Sequence, residues 1–199
     1  MDADSSIELG PSAPALEVPW QNPDGHLHYL DLRSAPGTLE QNVVRIPEAL
    51  HFPALRRFLL DLNSPLSPWQ TAKCDVWQEE ADAAENLYSA AITQSSYVDL
   101  VFAETNAGLR DNLELHRQIA SDLARRLEEN ETLEASAEIV VRRCYFHRGT
   151  SAEAMSESDP GYCLTLFLTG YGASPADAAE NWDQAIGFTA VRLLELQPQ

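Results

Sequence analysis

The sequence predicts an α+β domain, in which a mostly antiparallel sheet of four to five strands carries two long helices on one face. The first observation is that strand-like segments occur in pairs in the second half of the chain. The second is that each pair is followed by a longer segment with apolar residues at helical spacing. Two strand-strand-helix units in succession favour a two-layer sandwich in the order ββαββα, with a ferredoxin-like arrangement as a near variant.

The N-terminal part of the chain gives weaker signals. Residues 1–19 carry three prolines and no periodicity, which predicts a flexible or loosely docked arm, and the single α+β domain is expected over residues 20–199. The segment His26–Arg33 alternates in character and predicts an edge strand. The segment Pro53–Leu62 predicts the first helix, because proline suits a first turn and the apolar residues that follow have helical spacing.

Four later segments predict strands, because they alternate or are rich in β-branched and aromatic residues. They are Trp69–Gln78, Ser96–Glu104, Ser136–Arg148 and Tyr162–Tyr171. The last of these is apolar on both faces, which favours a central strand covered by helices on at least one side.

Two long helices complete the pattern. One is predicted over Leu109–Glu129, where leucine and isoleucine recur every four residues. The other begins at Pro175 and reaches nearly to the C-terminus. Ser174 and Asp177 approximate a capping box there, and Pro175 occupies the first helical position.

The charge of the chain limits its partners. There are 31 acidic and 13 basic residues, the net charge is −18, and Lys73 is the only lysine. Nucleic acids are bound by clustered lysine and arginine, and anionic membranes attract basic segments, so neither is an expected partner. The acidic runs Gln78–Glu85, Glu128–Glu134 and Glu153–Asp159 indicate solvated loops and helix ends, or else an acidic face that recognises a basic partner.

Cysteine usage and the absence of targeting signals predict a cytoplasmic protein. The three cysteines are widely spaced and lie in apolar segments, as free thiols in a reducing compartment do: Cys74, Cys144 and Cys163. The N-terminus resembles no secretory signal, and no stretch has the roughly 18–20 apolar residues needed to span a bilayer. Arginine replaces lysine almost throughout and alanine is abundant, which indicates a GC-rich bacterial genome.

Local motifs for metal or cofactor binding are weak, and we expect no cofactor. Cys144 and His147 are three residues apart, so on a strand they point to opposite faces and do not share a metal. His26 and His28 do share a face, but two histidines in a short edge segment are more typical of a polar surface. The glycines of Gly170–Pro175 lie before a helix, and a tight turn explains them better than an anion site.

Catalysis by side chains that only the fold brings together stays an open alternative. No nucleophile elbow occurs, although pairs between a cysteine and His116 or His147 are left open. Asp75 and Asp99 fall inside predicted strands, where a carboxylate needs solvent or a partner. The nearest candidates are Arg142 and Arg143, which predicts either a cross-strand ion pair or a polar pocket.

Four aromatic residues give the leading hypothesis for function: Trp69, Trp77, Tyr97 and Tyr145. If helices cover only one face of the sheet, these side chains can line the other face and bind a ligand or a second subunit. We therefore expect a non-catalytic binding or assembly protein that engages a protein partner or its own copy, through this aromatic face or an acidic surface. The alternatives are a small enzyme with a fold-assembled pocket and an acidic mimic of nucleic acid that inhibits a basic protein.

Overall fold

The computed structural model describes residues 1–21, 29–33, 35, 37–82, 87–148 and 157–196. Within them the architecture is α+β, with six strands and five α-helices. The strands are β1 (Asp2–Glu8), β2 (Leu16–Val18), β3 (Trp69–Glu80), β4 (Ile92–Phe102), β5 (Ala135–His147) and β6 (Ser158–Gly172). The helices are α1 (Leu39–Val43), α2 (Pro47–His51), α3 (Pro53–Leu62), α4 (Leu113–Glu128) and α5 (Pro175–Glu195).

One sheet contains all six strands, mostly in antiparallel pairs. The order is β1-β5-β6-β4-β3, and β2 also pairs with β5. The hairpins β3–β4 and β5–β6 lie side by side and are joined by the antiparallel pair of β4 with β6. The predicted α+β class and mostly antiparallel sheet are confirmed, and the strand-strand-helix order occurs twice, with α4 and α5 as the helices.

The N-terminal residues differ from the sequence-based expectation. Instead of forming a free arm, residues 1–19 supply β1 and β2, which both run parallel to β5, and this raises the strand number above four or five. The physical reason is that the outer edge of β5 offers unpaired backbone groups, which a short segment of any composition can satisfy. Met1 and Ala3 are buried in the process.

The main core lies between one face of the sheet and helices α3, α4 and α5. The sheet residues in it alternate along each strand, and include Val98 and Leu100 of β4, Ile139 and Val141 of β5, and Leu164, Leu166 and Leu168 of β6. Trp182 of α5 is fully buried, and its Nε1 donates to Ser96 Oγ at 2.9 Å. None of the helices in the described parts of the chain is both long and apolar enough to cross a membrane.

Helix α5 lies unusually close to β6. A side chain at Gly170 would place its Cβ 2.5 Å from the carbonyl oxygen of Ala178 and 2.7 Å from Trp182 Cα. The sequence predicted that Gly170 forms part of a tight turn. Instead, Gly170 lies within β6, and its lack of a side chain permits the close packing of α5. The predicted cap is confirmed, because Ser174 Oγ accepts a hydrogen bond from the backbone nitrogen of Asp177 at 3.3 Å.

The strand predicted over His26–Arg33 is not observed in its described part. His26 and His28, with the metal alternative attached to them, lie outside the described residues. Tyr29–Arg33 forms a turn, in which Asp31 Oδ1 accepts from the backbone nitrogen of Arg33 at 2.8 Å. Tyr29 Oη accepts from Gln70 Nε2 at 2.6 Å, so side chains and not a strand ladder connect this segment to β3.

Candidate functional site

A bulge in β3 decides which side chains reach each face of the sheet. The register shifts between Thr71 and Lys73. Before the shift, Trp69 pairs with Phe102 and points into the main core; after it, odd-numbered residues such as Trp77 point to the opposite face. An extra residue reverses the alternation of everything that follows in the strand. We call the side of the sheet that carries Lys73 and Trp77, and that points away from the main core, the second face.

Three aromatic rings form a row across this second face. Trp77 of β3 is 36 % exposed, and its ring centroid lies 6.5 Å from that of Tyr97 on β4. Tyr97 lies in turn 6.2 Å from Phe167 of β6. We call Trp77, Tyr97 and Phe167 the aromatic row. Phe167 was not singled out from the sequence, because its strand is apolar on both faces and gives no sign of which residues face solvent.

Two of the four predicted aromatic residues do not share this face. Trp69 is fully buried and stacks on Phe102 with 4.6 Å between ring centroids. Tyr145 alternates with Cys144, which lies in a cluster on the second face, so it points to the other side of β5, beside Arg143. The expectation of one surface formed by all four residues is wrong, because the bulge turns Trp69 inward and strand alternation turns Tyr145 away.

A buried carboxylate lies next to the aromatic row. Asp99 is 7 % exposed, and Thr165 Oγ1 donates to its Oδ1 at 2.6 Å. Arg142 Nη1 donates to Thr165 Oγ1 at 3.4 Å, and Arg142 Nη2 forms an ion pair with Glu8 Oε2 at 2.9 Å. Burial raises the pKa of Asp99 above its ordinary value, although Thr165, Arg142 and Lys73 oppose the shift.

The arrangement around Asp99 is a polar pocket. Its volume is about 210 Å³, and it is lined by Pro14, Ala15, Leu16, Lys73, Tyr97, Asp99, Arg142, Thr165 and Phe167. Of the two predicted partners, Arg142 reaches Asp99 through Thr165, whereas Arg143 donates to the carbonyl oxygen of Leu9 at 2.7 Å. The sequence left an ion pair and a polar pocket open, and the geometry corresponds to the pocket.

The N-terminal segment covers one end of the second face. Leu16 packs there in a small buried cluster with Val101, Cys144, Phe146 and Cys163, which we call the N-terminal cluster. The aromatic row lies beyond this cluster, where its rings are partly exposed. The segment thus divides the second face into a covered end and an accessible end.

A larger pocket lies beside the exposed edge of β3. Its volume is about 440 Å³, within the range of small-molecule sites. The lining combines apolar side chains with charged ones: Trp20, Leu30, Leu32, Ile46, Leu59 and Ala72 with Arg45, Glu48, Lys73 and Asp75. Tyr97 and Lys73 border both pockets, so the two adjoin.

Titrating groups at this edge experience a negative environment. Burial and the charges of Asp99, Asp75 and Glu48 raise the pKa of Tyr97 to about 12. Burial, Glu48, Asp75 and Asp99 likewise raise the pKa of the Cys74 thiol to about 12. Both groups therefore stay neutral at physiological pH, and Cys74 is not an activated nucleophile.

The remaining cysteines and histidines form no nucleophile–base pair in the described residues. Cys144 and Cys163 are fully buried in the N-terminal cluster, and burial raises the pKa of Cys144. His116 lies in contact with Phe102, and burial lowers its pKa. His147 Nε2 is 3.4 Å from a carboxylate of Glu17. Within the part of the chain that the structure describes, no group of three His, Cys, Asp or Glu side chains is placed to hold a metal ion.

Comparison with known proteins adds no assignment: no family model, curated protein or solved structure matches this chain.

Proposed function

We propose that this protein is a non-catalytic binding protein, and that its second face holds a basic segment of a partner protein. The observation that carries the proposal is the aromatic row, which is partly exposed and has carboxylates on both sides. Aromatic rings attract lysine and arginine by cation–π interaction, and carboxylates supply the complementary charge. An exposed site with both features suits an extended chain that presents basic and apolar residues in alternation.

The acidic residues beside the row support a cationic partner. On the β3 side, Asp75 and Glu79 share the face with Trp77, and Glu79 accepts a hydrogen bond from Trp77 Nε1 at 3.3 Å. On the β1 side, Asp4 and Glu138 are register partners and are both exposed. Like charges directly opposite each other destabilise a sheet, and a bound cation relieves that repulsion.

A basic partner suits this surface better than a second copy of the chain. The net charge of −18 makes two copies repel each other at any distance within the Debye length, about 8 Å at physiological salt. The basic side chains of the second face include Lys73 and Arg142, and Arg142 is already paired with Glu8. The same face on another copy therefore offers little charge to complement these carboxylates.

The proposal extends to the architecture and the compartment. The main core supports a two-layer arrangement in which α4 and α5 lie together on one side and leave the second face to a partner. The unpaired cysteines support a reducing compartment, which we take to be the bacterial cytoplasm.

Fluorescence anisotropy with a labelled peptide tests the proposal. The probe alternates arginine with leucine over about 12 residues, enough to cross a sheet of this size. Its control carries glutamate in place of arginine. We expect binding of the arginine peptide alone, weakening with salt because the contact is ionic.

Two variants and one control locate the binding. Trp77→Ala removes the exposed end of the aromatic row, and buried aromatic anchors in interfaces contribute about 2 kcal/mol or more, so binding should weaken about 30-fold. Glu79→Gln should weaken binding less and reduce its dependence on salt. Leu66→Ala alters a side chain that is 94 % exposed and belongs to neither pocket, and should leave binding unchanged.

The alternatives predict different results. If salt weakens binding but Trp77→Ala does not, an acidic mimic that acts through charge alone explains the data better. If neither peptide binds, the second face has no affinity for basic segments, and the proposal is wrong.

A further inference from the structure

The pocket beside β3 is lined by side chains of opposite charge that lie close together. Lys73 and Asp75 lie two residues apart on the same strand and on the same face. Their backbone positions are therefore about 6.6 Å apart. Both side chains line the pocket of about 440 Å³, where the ammonium and the carboxylate can engage one molecule between them. A ligand that contacts both side chains carries a carboxylate for Lys73 and an ammonium for Asp75.

A second pair of opposite charges lines the same pocket from another element. Arg45 precedes α2 and Glu48 lies in its first turn, and both border the cavity. The charged residues of the lining are thus two bases and two acids, which favours a zwitterion over a simple anion or cation. Asp75 and Glu48 both lie close enough to Tyr97 to raise its pKa. Lys73 borders the same pocket beside Trp20, with its Nζ 5.1 Å from the centroid of the Trp20 ring.

The apolar part of the lining defines the rest of the ligand. Leu30, Ile46 and Leu59 border the cavity together with the Trp20 ring, whose Nε1 donates to the carbonyl oxygen of Ala72 at 3.2 Å. This bond leaves the Trp20 ring as a fixed apolar wall. Pockets of this type bind a ligand by an apolar body and orient it by a few polar groups.

We propose that the pocket between β3, Trp20 and the start of α2 binds a free α-amino acid with an apolar side chain. The ammonium group lies between Asp75 and Glu48, the carboxylate meets Lys73, and the side chain packs along Leu30, Ile46 and Leu59. This site adjoins the partner surface proposed above and shares Asp75 and Tyr97 with it, but most of its lining lies beyond the edge of β3.

Isothermal titration calorimetry with three related probes tests this assignment. L-phenylalanine has both charges, 2-phenylethylamine lacks the carboxylate, and 3-phenylpropionate lacks the ammonium. Hydrogen bonds to charged groups contribute enough that each missing charge should weaken binding at least about tenfold. We expect L-phenylalanine to bind at least about tenfold more tightly than either analogue.

Two variants test which side chain binds the ammonium of the ligand and which binds its carboxylate. Asp75→Asn should weaken L-phenylalanine binding about tenfold and leave 3-phenylpropionate unaffected, because that probe has no ammonium to lose. Lys73→Met should weaken L-phenylalanine and leave 2-phenylethylamine unaffected. Glu80→Gln is the matched control, since it removes one negative charge from an exposed position of the same strand outside the pocket lining.

Thermal unfolding of each variant without ligand shows whether the fold is retained, and all three positions are exposed, so retention is expected. The assignment is overturned if L-phenylalanine binds no more tightly than its analogues, or if Glu80→Gln weakens it as much as Asp75→Asn. Peptide binding to the second face is measured separately, so failure of one proposal leaves the other standing.

Discussion

Leu16 holds the N-terminal segment on the second face, and truncating it tests that contact directly. The side chain is 9 % exposed and belongs to the N-terminal cluster with Val101, Cys144, Phe146 and Cys163. Replacing a buried leucine with alanine costs about 2–5 kcal/mol. We expect a cost at the lower end of this range, because the N-terminal segment packs on a small cluster and can move into the space that the leucine leaves. We therefore expect Leu16→Ala to reduce the free energy of unfolding by about 2 kcal/mol in urea.

The same substitution should make two buried thiols reactive. Cys144 and Cys163 are fully buried in the cluster that contains Leu16, so we expect a thiol reagent to reach them only when the N-terminal segment opens. A loss of about 2 kcal/mol raises the open population about 30-fold. Labelling of the native protein with Ellman's reagent should accelerate by about this factor. Both proteins carry Cys74→Ser, so that the signal comes from the two covered thiols.

A matched leucine provides the control. Leu66 is 94 % exposed, and Leu66→Ala should change stability by no more than about 0.5 kcal/mol. If Leu16→Ala costs no more than this and thiol labelling is equally fast in both proteins, the N-terminal segment is not packed on the sheet. The flexible arm predicted from sequence would then be the better description.

Three further predictions concern the packing of α5 on β6, the glycine within α5, and Asp99. Gly170→Ala should destabilise the protein by about 1–3 kcal/mol, because the added methyl overlaps the backbone of Ala178 and Trp182. Gly187→Ala should stabilise it by about 0.5–1 kcal/mol, because the site is open and helical and alanine restricts the unfolded chain; urea denaturation distinguishes the two signs. Burial raises the pKa of Asp99, so the stability that its neutral form contributes is lost as pH rises through the folded-state value. Asp99→Asn should therefore gain stability relative to the natural protein as pH rises above the ordinary pKa of an aspartate, about 4, and equal curves of unfolding free energy against pH would contradict this.

Elements with a complete local signal were predicted well from the sequence. The helix Pro53–Leu62 has the predicted bounds, and α5 begins at Pro175 with Ser174 as its cap. These features depend on contacts within a few residues, which a sequence displays directly. The N-terminal strands were missed because their order comes from the open edge of β5, more than a hundred residues away along the chain.

The candidate site was predicted only in part. The extra residue of the bulge in β3 explains why the predicted and observed faces differ for Trp69. Trp77 and Tyr97 do share a face, but the bulge after Thr71 sends Trp69 into the core. A bulge adds one residue to one strand and leaves no periodic mark in the sequence. The fourth aromatic residue, Tyr145, lies within the regular strand β5, but the sequence did not show which face of that strand packs against the helices.

From Pro53 onward, the sequence alone therefore determined the kinds of element and their order, and it determined the charge that limits the partners. Hydrophobic periodicity and helix caps are local properties, and composition is additive. All three can therefore be obtained from the sequence without knowledge of the fold. Tertiary structure alone decided that Asp99, Thr165 and Arg142 meet, and that Lys73 and Asp75 share a pocket with the start of α2. These contacts join separate strands and helices, and only the register and packing of the folded sheet set their distances.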